Sequence, residues 1–251
     1  MVSTTMFIDS HCHLTHEAFQ TDVDAVIQRA RAAGVEKMYC ASGMLGHDEL
    51  VLKLCAAYPM MLRPVIGISP HDANKVTKEQ KEKIFDLIEK NYRKIAAIGE
   101  IGLDFHYFKT TEEQQKQEKL YREEIELART LDLPVVIHGR KAEERCLDIL
   151  QEAKFNNFTM HCFLVKNLAP RVVEMNGLIS LPTVKSKERK YIMKHIKLES
   201  LLCETDSPYL WLTRNEPANV VEVYNEIAKI REVKIENVEE QIAVNAENFF
   251  R

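Results

Sequence analysis

Met6-Phe7-Ile8-Asp9-Ser10-His11-Cys12-His13 is a short apolar run that breaks off into an acid and two histidines. The same event recurs along the chain. Glu100 follows Ile95-Ala96-Ala97-Ile98-Gly99, and His138 follows Pro134-Val135-Val136-Ile137. His161 follows Phe158-Thr159-Met160, and Asp206 follows Leu201-Leu202-Cys203-Glu204-Thr205. Each run reads as a buried strand, so five strand ends deliver a residue type that binds metal ions. A single histidine in such a place is more often a hydrogen-bonded core residue. Four of them arriving with two acids is the pattern of a ligand set.

Between these runs lie amphipathic, charge-rich stretches. Strands are expected at 6–9, 37–41, 62–68, 95–99, 135–138, 158–161, 178–181 and 201–204. Helices are expected at 20–33, 47–57, 77–90, 112–131, 141–154, 167–175, 186–195 and 217–231. A last amphipathic stretch carries Val238, Ile242, Ala246 and Phe249. Thr110 and Glu113 form a capping box, Pro134 stops the helix before it, and Pro217 suits a first helical turn. Eight βα units in 251 residues predict an α/β single domain over 1–251. Its form would be a (β/α)8 TIM-like barrel with an extra C-terminal helix and a site at the C-terminal strand ends. An open doubly wound sheet is the alternative, but the chain lacks its Gly-rich phosphate loop.

Composition narrows the class. A hydrophobic fraction of 45% and a charged fraction of 29% are those of an ordinary globular protein. A net charge of -4 argues against a surface that coats nucleic acid, though not against a nucleic-acid substrate held locally. The six cysteines form no CxxC pair and read as reduced thiols of a cytoplasmic protein. No apolar run is long enough for a membrane span, and nothing calls for an obligate protein partner.

In a strand, Asp9, His11 and His13 share one face. Closure of the barrel sets the eighth strand beside the first, which brings Asp206 to His11 and His13. Glu100, His138 and His161 come from strands four, five and six, which are also neighbours. Two clusters therefore face each other across the mouth, and Glu100 has an oxygen for each. This arrangement suits two divalent metal ions (zinc, magnesium or manganese) roughly 3.5–4 Å apart, activating a water between them. Asp206 and Glu100 are the catalytic candidates, with Asp206 as general base. Asp9 is read as orienting a ligand histidine or as a peripheral contact to the first metal, and Glu204 as an acceptor behind a ligand rather than a ligand itself.

The chain resembles the TatD-related metal-dependent hydrolases, nucleases of the amidohydrolase superfamily. The resemblance is carried by Phe7-Ile8-Asp9-Ser10-His11-Cys12-His13-Leu14, Gly67-Ile68-Ser69-Pro70-His71, Ala97-Ile98-Gly99-Glu100-Ile101-Gly102-Leu103-Asp104 and Leu133-Pro134-Val135-Val136-Ile137-His138-Gly139-Arg140. It continues through His161-Cys162-Phe163, Glu204-Thr205-Asp206-Ser207-Pro208-Tyr209-Leu210 and Arg214-Asn215-Glu216-Pro217. It implies ligand roles for His11, His13, Glu100, His138, His161 and Asp206. It also implies a phosphodiester substrate, and typically a deoxyribonuclease that removes nucleotides from an end. The chain departs from the family at Ser69, where a histidine is usual, at Leu164-Val165-Lys166 in place of a Gly- and Ser-rich loop, and in a short 210–214 segment.

Substrate-binding candidates are His71, Arg140 and Arg214. His71 is either a phosphate contact or a loop histidine. Arg140 should emerge at the mouth, where a guanidinium suits phosphate, or else lie on a solvated helix start. Arg214 is a phosphate clamp or ties down a loop capped by Asn215. His16, His47, His106 and His195 read as ordinary surface or packing residues. Phe163, Tyr209 or Trp211 could stack on a terminal base. The leading expectation is hydrolysis of DNA, with RNA as an alternative, at strand ends or on single strands. Its rivals are an esterase or deacylase, for instance of an aminoacyl ester on RNA, and a metal-holding binding module without catalysis.

Overall fold

The computed structural model describes residues 6–250, so residues 1–5 and 251 of the expected domain lie outside it. Eight strands pair in parallel in chain order: β1 (Phe7–Cys12), β2 (Val35–Ala41), β3 (Leu62–Ile66), β4 (Ala97–Asp104), β5 (Val135–Arg140), β6 (Phe158–Met160), β7 (Leu178–Leu181) and β8 (Leu201–Cys203). The helices between them are α1 (Val23–Ala32), α2 (Asp48–Ala57), α3 (Lys78–Asn91), α4 (Thr111–Leu131), α5 (Glu143–Glu152), α6 (Ala169–Glu174), α7 (Lys187–His195) and α8 (Val220–Arg231), followed by α9 (Ile235–Phe249). This is the expected TIM-like barrel. Among the described residues, no helix is long and apolar enough to cross a membrane.

Local chemistry sets the boundaries. The Thr110–Glu113 capping box is present at the start of α4, and a second, Thr77 with Gln80, starts α3. The expected 20–33 helix starts later, at Val23, after a separate 3-10 turn at Glu17–Phe19. The expected 217–231 helix likewise begins with a 3-10 turn, Pro217–Asn219, before α8. The largest difference lies in β4, which runs on to Asp104, so Glu100 sits inside the strand rather than past its end. The period-two pattern Glu100-Ile101-Gly102-Leu103-Asp104 explains the extension: Ile101 and Leu103 pack outward while the residues between them face the barrel.

Two apolar layers hold the barrel. The larger lies between strands and helices, and includes Phe7, Met38, Ile98, Ile137, Met160 and Leu201. The smaller fills the barrel floor: Ile8, Tyr39, Val65, Val136 and Leu202 meet Ala243, Ala246 and Phe249 of α9, and Phe250 beyond it. Tyr39 stacks on Phe250 with ring centroids 3.6 Å apart. Burying side chains of this size contributes about 1.5–3 kcal/mol each. The C-terminal helix is therefore the plug of the N-terminal end, which leaves the opposite end free for chemistry.

The seam between β1 and β8 is stitched rather than laddered. At the mouth, Cys12 bridges Ser207, the His13 amide donates to Ser207 O at 2.8 Å, and the Asp206 amide donates to His11 O at 2.9 Å. Deeper down, the Tyr224 hydroxyl stands 3.0 Å from both the amide and the carbonyl of Ile8. Asp9 accepts from the Thr205 amide at 2.9 Å and the Thr205 hydroxyl at 2.6 Å. Side chains thus satisfy backbone groups that a missing ladder would leave bare, at about 1–3 kcal/mol each if unsatisfied.

Candidate metal centre

All six expected ligands meet at the C-terminal mouth, though they come from five strands or strand ends. His11 and His13 alternate out of β1 with their Nε2 atoms 3.2 Å apart. Asp206, just beyond β8, adopts φ +53°, a left-handed conformation that aspartate tolerates better than most residues. This turn places its Oδ1 3.3 Å from His13 Nε2 and 3.8 Å from His11 Nε2. On the far side, His138 Nδ1 lies 3.2 Å from His161 Nε2. Glu100 stands between the pairs. Its Oε2 is 3.4 and 3.5 Å from His11 and His13, and its Oε1 is 2.8 and 3.7 Å from His138 and His161.

These spacings fit divalent ions. Ligand arms of about 2.0–2.1 Å around a tetrahedral ion leave neighbouring donor atoms roughly 3.3–3.4 Å apart. The separations above bracket that value. The donors are imidazole nitrogen and carboxylate oxygen, the set that suits zinc or manganese and accepts other divalent ions. His11, Glu100 and His161 form one group able to hold an ion, and His11, His13 and Asp206 form another.

The electrostatics of the bare site run the same way. Burial disfavours charge on Glu100, yet hydrogen bonds from His11 and His138 hold its carboxyl well below the usual range. Asp206 is also buried, but its hydrogen bond with His13 and the nearby imidazoles keep it low. Burial opposes a charge on His13, but Asp206 and Glu100 push its pKa up to about 9. His138 is pushed up to about 10, because Asp104 and Glu100 outweigh its burial. His11 is the exception: burial, helped by the charge of His161, holds it below its ordinary value. Two carboxylates that gather protons onto neighbouring imidazoles make a cavity for cations.

The residues behind the ligands divide as follows. Glu204 Oε1 lies 3.4 Å from His161 Nδ1 and accepts from the Cys162 amide at 2.7 Å. Asp9 touches no ligand side chain. It accepts from the backbone amides of His11 and Thr205, and so fixes the strands that carry His11 and Asp206. Asp104, to which the sequence reading gave no role, accepts from His138 Nε2 at 3.2 Å and His71 Nε2 at 2.9 Å. This orients His138 with Nδ1 toward Glu100. Its position four residues after Glu100, on the same face of one strand, was the available signal. Gly43, at φ +63°, lies against His13, and a Cβ there would meet Nδ1 at 2.5 Å.

The centre opens into a cleft of about 320 Å³ whose walls include His71, Tyr107, Arg140 and Tyr209. The Arg140 guanidinium sits 4.9 Å from the Tyr107 ring centroid. Arg214 does not reach this cleft. It pairs with Asp22 at 2.6 and 2.8 Å and with Glu216 at 2.7 Å, and donates to Ala18 O at 2.8 Å. Its donors are committed to tying the loop after β8 to the start of α1. Asn215 is buried beside it and bonds Thr183 and the Thr205 carbonyl. Phe163 is buried too, whereas Tyr209 lines the cleft and Trp211 is exposed. His16 and His47, read as ordinary, stand on the cleft wall. The six thiols are free, and Cys12 bonds the Tyr39 carbonyl on the side away from the ligands.

The chain is similar to known proteins over nearly its whole length. A profile of TatD related DNases matches residues 8–251. Human deoxyribonuclease TATDN3 is 31% identical over 257 residues, covering 97% of this chain and 94% of that protein. The 3'-5' ssDNA/RNA exonuclease TatD of Salmonella typhimurium is 32% identical over 237 residues, covering 88% and 89%. The crystal structure of YjjV, a TatD homolog from Escherichia coli, superposes with a TM-score of 0.90 at 26% identity and covers 97% of both chains. Barrel and sequence likeness converge: the chain belongs to the TatD-related DNase family of metal-dependent hydrolases.

Proposed function

We propose that this enzyme hydrolyses nucleic-acid phosphodiester bonds at the mouth of its barrel, working from strand ends or on single strands. The observation that carries the reading is Glu100, whose two oxygens each face a different pair of histidines. In this reading His11, His13 and Asp206 would hold one divalent ion and His138 and His161 a second, with Glu100 able to serve either. Such a pair supplies Lewis-acid polarisation of a phosphoryl oxygen and a water of lowered pKa.

The chain's own residues do the rest. Asp206 lines the cleft as an ionised carboxylate, able to accept a hydrogen bond from the attacking water and to align it. Among the described residues Arg140 is the one lysine or arginine in the cleft wall, and a single guanidinium there matches one phosphate rather than a long duplex. Tyr107 and Tyr209 offer flat faces to a terminal sugar or base. His71 shares the Asp104 carboxylate with His138 and lines the cleft, where its imidazole could meet a phosphate oxygen. No side chain of the cleft is arrayed to read base edges, which supports sequence-independent action. The names of the human and Salmonella relatives point to the same substrate class.

Incubating the zinc-, manganese- or magnesium-loaded protein with 3'- and 5'-labelled single strands, beside an aminoacyl ester, tests the reading. Stepwise release of nucleotides from one end is the expected result. Cleavage of the ester alone would overturn it.

A further inference from the structure

Beside the metal cleft lies a larger groove that the reaction described above does not use. It has a volume of about 830 Å³, runs between the Glu17–Phe19 turn with α1 on one side and α2 on the other, and shares His16, Met44 and His47 with the metal cleft. We infer that this groove receives the base of an unpaired nucleotide flanking the scissile phosphate. The inference rests on the hydrolase acting on nucleic acid.

Three observations support it. The first is continuity, because a strand whose phosphate lies among the ligands has only the His16–Met44–His47 wall between it and the groove. The second is lining. Val23, Leu50 and Leu54 present apolar surface over the buried Leu14 and Phe19, and Leu50 and Met44 are 50% and 39% exposed, a cost normally kept for a binding surface. The third is charge. Glu17 and Asp24 stand against Lys53 in the lining, so the groove repels a phosphate and favours a flat, uncharged group. Its size falls within the roughly 300–1,000 Å³ of small-ligand sites. Apolar and imidazole faces bind any base by stacking, without reading its edges.

The test compares a short single strand with the same strand lacking one base, placed in turn on either side of the cleaved linkage. For wild type, kcat/KM should fall roughly tenfold for one of the two abasic strands, about what one stacked base contributes. In Leu50→Trp, which fills the groove from the exposed face of α2, the ratio of intact to abasic strand should approach one. Equal wild-type rates on all strands would overturn the inference. So would a tenfold ratio that survives Leu50→Trp. Deoxyadenosine titrated into the wild-type protein gives a readout independent of turnover and of variant folding. Saturable NMR shifts of the Met44, Leu50 and Leu54 methyl groups are expected. Their absence would overturn the groove reading even if strands are cleaved, and their presence in an inactive enzyme would remove the hydrolase reading while leaving the groove.

Discussion

The two halves of the metal centre are built by different means. On the β1–β8 side, the backbone sets the ligands: His13 Nδ1 lies 3.3 Å from the Ala41 carbonyl, and the Asp206 amide is tied to His11 O. On the β5–β6 side, buried carboxylates stand behind the imidazoles, Asp104 behind His138 and Glu204 behind His161. A carbonyl fixes the ring of its histidine. A carboxylate also raises the basicity of the ring and its hold on an ion. The first half is therefore rigid by closure of the barrel, and the second is tuned by charge. Glu100 belongs to both.

The largest effect should come from breaking the shared element. Glu100→Ala is expected to lower kcat/KM by at least about a thousandfold, since both proposed ion positions would lose a ligand and transition-state charge would go uncompensated. Circular dichroism and thermal melting should stay near wild type. Turnover close to wild type would remove Glu100 from the mechanism.

Asp104→Asn separates the halves. It should cost about 10–100-fold in metal affinity or activity, and metal titration should show the loss in one of two ions, with the His11–His13–Asp206 position retained. Equal weakening of both would mean that the halves are not independent.

Acid should act more gradually, and on both halves. Without a cation, His13 and His138 keep a proton up to about 9 and 10. Because these pKa values are raised, the protonated form dominates below them, and metal uptake at neutral pH must release protons. Metal affinity therefore weakens progressively as pH falls below about 10 and 9, and activity at limiting metal should decline steadily through neutral pH into acid. A flat rate profile down to about pH 5 would contradict histidine ligation.

Much of the centre was legible in the sequence because it rests on local pattern. An apolar run such as Pro134-Val135-Val136-Ile137 names its strand, and His138 after it falls at the mouth of any barrel. What could not be read depends on distant partners. Arg214 looks like a phosphate clamp until Asp22, 192 residues away, takes its guanidinium. His16 and His47 look ordinary until the β1 and β2 loops bring them to one wall. Asp104 was within reach: the alternation after Glu100 continues to it, but ending β4 at Gly99 hid the register. The floor plug by α9 is a tertiary choice, since the apolar face of Val238, Ile242, Ala246 and Phe249 says only that something must cover it.

Glu100 is proposed to stand between two cation positions. Crystals of the protein grown with manganese or zinc and measured at the metal's absorption edge test it directly. Two anomalous peaks are expected, one beside His11, His13 and Asp206 and one beside His138 and His161, with a Glu100 oxygen against each. A single peak, or peaks away from Glu100, would contradict it.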